Sequence, residues 1–368
     1  MPVLAKYRSV AADTPPAVEA RVGRGVVQRV NPLEEAGWDA SLMTCPSASF
    51  FHGAAWAKVL QSTYGYTPVY FTCMESGRLQ SLLPIMEVDS WLTGRRGISL
   101  PFTDYCEPLC SDATSFGCVF QEAMEYGKAR NWNYFEGRGG REFFNGVTAS
   151  TSFYGHRLRL ADDEGALYAS IEASVRRAIR KAEKNGVRVE FSQSMDAVRI
   201  YYDLQCKTRK KHGLPPQPFR FFQNIHRHIL SPNQGFVVLA THQNVPVAAA
   251  IFFHWGKKAL FKYGASDERF QQLRANNLVM WEAIRWYAHH GFEQLHFGRT
   301  SLANEGLRRF KLGWGAEEHR IEYVKYDRRR GRFVTVNDES SGWHNGLFRA
   351  MPGFLSRQIG AVLYKHVA

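Results

Sequence analysis

The sequence contains no apolar run long enough to cross a bilayer. Its longest, VPVAAAIFF, occupies only 245–253, whereas a membrane-spanning helix needs about 20 predominantly apolar residues. The N-terminal stretch MPVLAKYRSVAADTPPAVEARVG lacks the apolar segment that a secretory signal carries. Together, these absences predict a cytoplasmic protein.

Cysteines in the spacing of a metal site are also missing. Six cysteines are present, and the single close pair, Cys106 and Cys110, has no second pair or His cluster to complete a zinc site. We therefore expect reduced, mostly buried thiols and no bound metal.

Acidic residues are in the minority, with 34 Asp and Glu against 47 Lys and Arg, which gives a net charge of +13. A composition that is 45% hydrophobic and 14% aromatic is typical of a globular chain and excludes a disordered one. The positive charge favours an anionic partner, which can be RNA, a nucleotide-linked sugar or an anionic membrane surface. Charge alone does not choose among these partners.

At 368 residues the chain is too long for one ordinary core, so two domains are expected. Each half has helices, a meander of strand-like runs, one long helix and a closing strand. This order predicts an α+β (mixed α/β) fold with an internal duplication, because the regular strand–helix alternation of a doubly wound nucleotide fold is missing. The main expected helices are 31–42, 53–65, 112–132, 165–186, 195–212 and 275–291.

Four parts are expected along the chain. A flexible tail at 1–26 precedes a first domain at 27–155 and a second domain at 156–319. The last part, 320–368, is a return strand followed by an amphipathic tail that packs on the first domain or on a membrane surface.

The helix ASVRRAIRKAEKNG concentrates positive charge on one side. Five cations fall within nine residues, while apolar residues at the alternate helical positions can face a core. Such a run is compatible with a solvated helix face, which composition favours, or with an anion-binding surface. Its candidate binding residues are Arg176, Arg177 and Arg180, followed by Lys181 and Lys184.

A strand–loop–helix stretch, KYGASDERFQQLRANN, follows a similar plan to the phosphate-binding loop of GNAT-superfamily acetyltransferases. The strand ends at Tyr263, a candidate substrate-binding residue, and a helix begins near Asn276. The GNAT loop needs paired glycines so that backbone N–H groups can approach pyrophosphate. Here the loop QQLRANN has none, which disfavours a standard coenzyme A site.

Three segments, SVRRAIRKAEKNGVRVE, YGASDERFQQLRANNLVMWEAI and FGRTSLANEGLRRFKLGWGAE, resemble the C-terminal domain of the FemABX aminoacyltransferase family. They resemble still more its FemAB-like branch found with bacterial exopolysaccharide (PEP-CTERM-associated) systems. FFHGAAWAKVLQSTYGYTPVYF and ISLPFTDYCEPL resemble the N-terminal domain of the family. The resemblance extends from about residue 45 to 326.

The resemblance implies tandem GNAT-like acyltransferase domains with an inter-domain cleft. Family members transfer an aminoacyl group from aminoacyl-tRNA to an amine of a peptidoglycan precursor, with no metal and no further cofactor. Lys311 matches a family lysine at the reaction centre, which stabilises developing negative charge. Lys58 matches a lysine that contacts the diphosphate of the acceptor, and Glu136 an acidic residue near the acceptor amine. Lys58 also fits an ordinary exposed helix lysine, and Glu136 fits an ordinary salt-bridge partner at a strand end.

Two further positions are candidates for substrate binding. Gln217 stands where family enzymes for a uridine-diphosphate precursor carry an arginine, although Arg220 is near, which weakens the case for that acceptor. Arg299 follows a strand end, where side chains reach a cleft, or pairs with a carboxylate such as Glu305. Trp314, between two glycines, is expected to be exposed.

The sequence leaves the donor and the function class open. Aminoacyl-tRNA fits the net charge and the basic helix, whereas acyl-coenzyme A or an acyl-carrier protein fits the GNAT plan. No Gly-x-Ser-x-Gly motif occurs, so direct attack by an acceptor amine or hydroxyl is favoured over a covalent intermediate. The expected acceptor is a glycan or peptidoglycan-type precursor of the cell envelope or an exopolysaccharide.

Two other classes of function remain. A non-catalytic RNA- or glycan-binding protein can keep the same fold. A scaffold in a polysaccharide-export assembly has only the tail at 342–368 in its favour. This tail mixes apolar residues with Arg349, Arg357 and Lys365 and can contact an anionic membrane at its periphery.

Overall fold

The computed structural model describes residues 26–75, 78–161, 163–335, 348–349 and 351–367. The expected flexible tail therefore lies almost wholly outside the described residues. The described chain divides into two compact units. The first unit draws on Met1–Phe153, Arg320–Glu339 and Lys365–Ala368, and the second on Tyr154–His319 and Ser340–Tyr364.

The first unit is built on a mixed sheet. Its strands are β1 (Val27–Val30), β2 (Thr67–Glu75), β3 (Arg78–Val88), β4 (Arg96–Ile98), β5 (Leu109–Cys110), β6 (Tyr134–Arg138), β13 (Glu317–Asp327) and β14 (Arg332–Phe333). The main strand order is β1-β2-β3-β4-β6-β13, with β5 beside β3 and β14 beside β13. The β4–β6 pair is parallel, and the other neighbours are antiparallel.

The helices of the first unit are α1 (Trp38–Met43), α2 (Ala54–Tyr64) and α3 (Ala113–Ala129). The expected helix at 31–42 is wrong over its first half. Asn31 stabilises a single turn by accepting from the Leu33 N–H at 3.1 Å, and Gly37 then adopts a left-handed φ of 75°. That conformation interrupts the helical backbone, so α1 begins only at Trp38.

The strands of the second unit are β7 (Thr151–Arg159), β8 (Arg188–Ser192), β9 (Gly235–His242), β10 (Val245–Trp255), β11 (Lys258–Ser266) and β12 (Gln294–Ser301). They lie in the order β7-β12-β11-β10-β9-β8. The β8, β9, β10 and β11 neighbours are antiparallel, and β11 pairs with β12 in parallel.

The helices of the second unit are α4 (Glu164–Ser170), α5 (Ala173–Lys184), α6 (Met195–Lys211), α7 (Phe219–Ile225), α8 (Ala275–His289), α9 (Glu305–Leu312) and α10 (Gly353–Leu363). The expected single helix at 165–186 is wrong, because Ile171 and Glu172 have extended ψ angles and separate α4 from α5. Ile171 is buried there, and the Glu172 N–H donates to the Gly313 carbonyl at 2.9 Å instead of continuing a helix.

The two units share one plan, which confirms the predicted α+β fold. In each, an antiparallel meander leads into a helix, and the strand after that helix pairs in parallel with the last strand of the meander. The helix is α3 in the first unit and α8 in the second. A separate apolar core packs behind each sheet. The predicted cleft concerns the relative placement of the units and stays a prediction.

Candidate active site

A buried lysine links strand β12 to helix α9. Lys311 is 2% exposed, and its Nζ donates to the carbonyl oxygens of Gly298 and Arg299, both at 3.0 Å. Gly298 has a φ of 69°, a left-handed conformation that glycine adopts without steric cost. This residue within β12 therefore presents its carbonyl group and that of Arg299 to one ammonium. The expectation that Arg299 follows a strand end is wrong, because β12 continues through it to Ser301.

Local signals in the sequence explain why α9 brings Lys311 to this position. The Asn304 side chain accepts from the Leu307 N–H at 3.0 Å and so caps the helix start. After the helix, Trp314 is completely buried and packs against Phe310. The expectation that Trp314 is exposed is wrong, because the turn at Gly315, with a φ of 76°, directs the indole into the core.

An ion-pair network lies on the same helix. Arg308 donates from Nε and Nη2 to the Glu318 carboxylate at 2.7 and 2.9 Å, and its guanidinium lies 4.3 Å from the centre of the Tyr154 ring. Hydrogen bonds from Arg308 lower the pKa of Glu318 below its usual range. Arg308 also pairs with Glu305 at 3.5 Å.

His156, on β7, completes this network. Its ring is fully buried, with Nε2 3.2 Å from a Glu318 oxygen. Burial lowers the pKa of His156 to about 4, and the positive charge of Lys311 contributes. His156 is therefore neutral near pH 7 and donates from Nε2. Its Nδ1 has no hydrogen-bond partner in the described part of the chain.

Sequence reasoning missed His156 and Glu318. The available signal is the spacing of Tyr154 and His156, two residues apart on one strand, which places both on the same face. That signal is weak without the knowledge that Glu318, far along the chain, meets this face.

The basic helix α5 starts beside the end of α9. Besides the Glu172–Gly313 hydrogen bond, Val175 contacts Gly313 closely enough that a Cβ added at Gly313 would lie 2.9 Å from Val175 Cγ2. Four of the five α5 cations are exposed, and Arg176 is half-buried. In the described residues, none of the five pairs with a carboxylate, and Arg180 lies 5.9 Å from the Tyr168 ring centre. The unpaired positive charges therefore begin at Arg176, one helical turn after the Glu172 N–H that contacts the end of α9.

The two parallel strands β11 and β12 separate early. They pair only from Lys258↔Gln294 to Leu260↔His296, although both continue further. Tyr263 lies half-buried on the part of β11 that extends past its pairing with β12 and still pairs with β10, with Phe222 5.8 Å away between ring centres. At the start of α8, Arg274 takes a left-handed φ of 60°. The backbone thus makes at Arg274 the turn for which glycine is usually needed.

Two of the remaining candidates, Glu136 and Lys58, belong to the first unit. Glu136, on β6 of the first unit, accepts from Arg138 Nε at 2.9 Å and is paired in register with Lys325, whose pKa is lowered by burial. Lys58 is exposed on α2, with Nζ 3.4 Å from the Gln61 amide oxygen. Gln217 is buried before α7, and Arg299 is exposed although its carbonyl binds Lys311. Within the second unit, the structure brings Lys311 together with the Arg299 backbone.

Comparison with known proteins agrees with this architecture. Residues 169–320 match the family model of an acetyltransferase (GNAT) domain. The fold is similar to that of FemX, with 14% identity over 81% of this chain and 96% of that chain and a TM-score of 0.62. It is also similar to a tandem GNAT protein from the clavulanic acid biosynthesis pathway, with 10% identity, coverage of 82% and 98%, and a TM-score of 0.55.

A third similar structure is L-PGS from Bacillus licheniformis, with 11% identity over 88% of this chain and 96% of that chain and a TM-score of 0.50. The search of curated proteins gave no match. At such low identities the structures show a shared fold, and the predicted tandem GNAT-like architecture is confirmed. With the matched domain, they support a transferase of the GNAT superfamily. Among the described residues, no helix has both the length and the apolar character needed to span a membrane.

Proposed function

We propose that this protein is a FemAB-like acyl- or aminoacyl-transferase in which Lys311 stabilises the oxyanion of the reacting carbonyl. The acceptor amine or hydroxyl attacks the donor's carbonyl carbon, the bond from that carbon to the donor oxygen or sulfur breaks, and the acceptor's proton passes to the departing atom. The observation that carries the proposal is the buried Lys311 ammonium, fixed at 3.0 Å from two carbonyl oxygens of β12. A fixed cation shielded from water stabilises developing charge far more than a solvated one does.

The neutral state of His156 supports the same assignment. A protonated imidazole beside Lys311 would add a second buried positive charge, and its absence leaves Lys311 as the cation of this region. The Arg308 charge is already balanced by Glu318. The electrostatic arrangement therefore suits an anion that forms next to Lys311.

For the donor, we favour aminoacyl-tRNA. The α5 cations are unpaired, mostly exposed, and begin beside the Lys311 helix, and neutralising phosphates with such residues dominates RNA affinity. A thioester donor is the alternative, which the matched GNAT domain and the separation of β11 from β12 support. In either case we infer an acceptor among cell-envelope or exopolysaccharide precursors, with Glu136, Lys58, Tyr263, Arg299 and Gln217 as candidate contacts.

Salt dependence distinguishes the donors. If α5 neutralises about five phosphates, log K for aminoacyl-tRNA should fall against log salt with a slope of roughly −3 to −5. Replacing Arg177, Arg180 and Lys184 together by Gln should make this slope shallower by about two to three units. Arg188→Gln, at an exposed cation on β8, is the matched control. A flat salt response together with acetyl-coenzyme A turnover would favour the thioester donor.

The role of Lys311 is tested with Lys311→Met, which keeps the side-chain length and removes the charge. Donor and acceptor species that co-purify with the protein are first identified by mass spectrometry. Single-turnover transfer should then fall roughly 100- to 1,000-fold, with donor affinity little changed. Because Lys311 also supports the backbone of β12 at Gly298, Gly298→Ala serves as the control: it strains the same backbone at its left-handed residue but keeps the ammonium.

Catalysis by Lys311 would be contradicted if the transfer rate of Lys311→Met fell only in proportion to its folded fraction. It would also be contradicted if Gly298→Ala lost as much rate as Lys311→Met. The second candidate function, RNA binding without chemistry, is favoured by the unpaired α5 cations alone. It predicts that Lys311→Met retains full activity in cells as long as the protein is folded.

A further inference from the structure

Helix α10 packs on the second unit through its small residues. Ser356 and Gly360, one turn apart, are its buried positions. A Cβ atom added at Gly360 would overlap the carbonyl oxygen of Pro216, so the helix and the loop before α7 are in close backbone contact. The helix is also held by hydrogen bonds from Arg357 to Asp203 at 3.3 Å and from Arg209 to the Tyr364 hydroxyl.

Large apolar side chains on α10 face away from this contact. Phe354 is 63%, Val362 62% and Leu355 38% exposed. At 3.6 residues per turn these three positions fall within about 100° of arc, opposite the buried small residues. Helix α10 is thus amphipathic, but its bulky apolar side faces solvent while its small residues face the protein. Grouped exposed apolar side chains, unlike scattered ones, mark an interaction surface.

The charged residues around this apolar face indicate which kind of partner it fits. From residue 341 to the end, the sequence has no Asp or Glu, whereas it has Arg349, Arg357 and Lys365. Arg349, just before the helix, lines a groove in which five cations outnumber two carboxylates. Lys207 and Lys211 pair there with Asp267 and Glu268 at 2.8 and 3.2 Å, so Arg349 and Lys210 contribute most to the groove's excess positive charge. An apolar face flanked by cations complements a surface with anionic groups above an apolar interior, as in an anionic phospholipid bilayer.

We propose that α10 is a docking helix for anionic membranes, lying flat on the lipid surface. Phe354, Leu355 and Val362 enter the boundary between headgroups and acyl chains, and Arg349 and Lys365, on either side of the helix in the sequence, meet lipid phosphates. The proposal stands independently of the transferase function, because none of these side chains belongs to the Lys311 region.

Sedimentation of the full chain with vesicles tests the proposal. Vesicles of phosphatidylcholine mixed equally with phosphatidylglycerol should bind the protein, whereas phosphatidylcholine alone should bind it weakly. The double variant Phe354→Ser/Val362→Ser should lose at least about tenfold in affinity for the mixed vesicles. Val245→Ser is the matched control, because Val245 is a 45% exposed valine at a strand end of the same unit. This control should bind as the wild type does.

A second variant tests how much the positive charges contribute to membrane binding. Arg349→Glu/Lys365→Glu should abolish the preference for phosphatidylglycerol, and added salt should weaken wild-type binding. Unchanged thermal unfolding of each variant shows that the fold is kept.

Equal wild-type binding to both kinds of vesicle, or to neither, would overturn the proposal. So would vesicle binding that survives in the Phe354→Ser/Val362→Ser variant. If the same variant instead changes a dimer into a monomer, the face is a contact between copies of the chain and the membrane assignment is wrong.

Discussion

His156 and Lys311 lie within electrostatic reach of one another, and both side chains are almost completely shielded from water. Glu318 accepts hydrogen bonds from Arg308 and His156, so its charge is shared between two partners. Protonating either the imidazole or the carboxylate would disturb this balance. The contacts among these residues of β7, α9 and β13 therefore depend on a neutral His156 and an ionised Glu318.

Stability should fall with acid because of His156. Its folded pKa of about 4 lies below the ordinary value of 6.5, so the folded state binds fewer protons than the unfolded state between these limits. The contribution is complete above the unfolded pKa and declines as pH falls toward the folded one. From about pH 7 to pH 5 the loss attributable to His156 is about 2 kcal/mol.

Urea unfolding of the wild type and of His156→Gln at both pH values measures this effect. The variant should be less stable at neutral pH but should lose about 2 kcal/mol less on acidification. The lowered pKa of Glu318 adds a further loss at lower pH, as that carboxylate becomes protonated. Parallel pH profiles for the two proteins would refute the assignment.

At the level of whole elements, the contact between α5 and α9 depends on Gly313. Its φ of −59° is ordinary, so glycine is needed here for space and not for conformation. A methyl group would lie 2.9 Å from Val175 Cγ2 and 3.3 Å from the Arg309 carbonyl oxygen. The valine is stiff about χ1, which leaves little room for adjustment. Loss of this contact would separate the basic helix from the Lys311 helix.

Gly313→Ala should therefore destabilise the protein by about 1–3 kcal/mol through overpacking. Gly306→Ala, inside the same helix, is the control: its nearest neighbour, the Asn304 side-chain oxygen, is 3.9 Å away. This second change should stabilise by about 0.5–1 kcal/mol through helix propensity. Denaturant titration compares the two, and Val175→Ala should restore part of the loss in Gly313→Ala. Equal stabilities of Gly313→Ala and Gly306→Ala would show that α5 and α9 can move apart without a loss of folding free energy.

Elements with strong local signals could be predicted from the sequence. Helix α2 ends on a left-handed glycine, α3 begins at the capping Asp112, and β9 and β10 are joined by a tight turn. The break between α4 and α5 could not be predicted, because it results from the burial of Ile171 and a hydrogen bond to Gly313. The inward position of Trp314 likewise depends on the packing of distant segments.

For the molecule as a whole, element order predicted the duplicated α+β plan, and the comparisons agree with it. The candidate site was predicted only in part. Lys311 could be proposed because a resemblance singled it out, whereas His156 and Glu318 become neighbours only once β7 and the start of β13 are placed. Net charge predicted an anionic partner, but the sequence could not show that the α5 cations are unpaired.

The first unit is discontinuous, because β13 pairs with β6 along Tyr134–Arg138. A chain that ends at Ala316 should therefore lose hydrogen-exchange protection in β6 and its neighbour β4, since β6 lacks one sheet neighbour and the core lacks the buried Val324. A chain that ends at Thr335 keeps β13 and should retain most of that protection. Hydrogen exchange with mass spectrometry measures both. Full protection of the shorter chain would show that β6 needs no second neighbour.

About 180 residues lie between the end of β6 and the start of β13. At ribosomal rates of about 5–20 residues per second, synthesis of that stretch takes roughly 10–40 seconds. Throughout this interval the nascent chain carries an open strand edge, a template for pairing with other polypeptides. The second unit can therefore finish folding before the first unit. The yield of folded protein in cells should depend on the translation rate and on chaperones that bind the exposed edge of β6 until β13 has been synthesised.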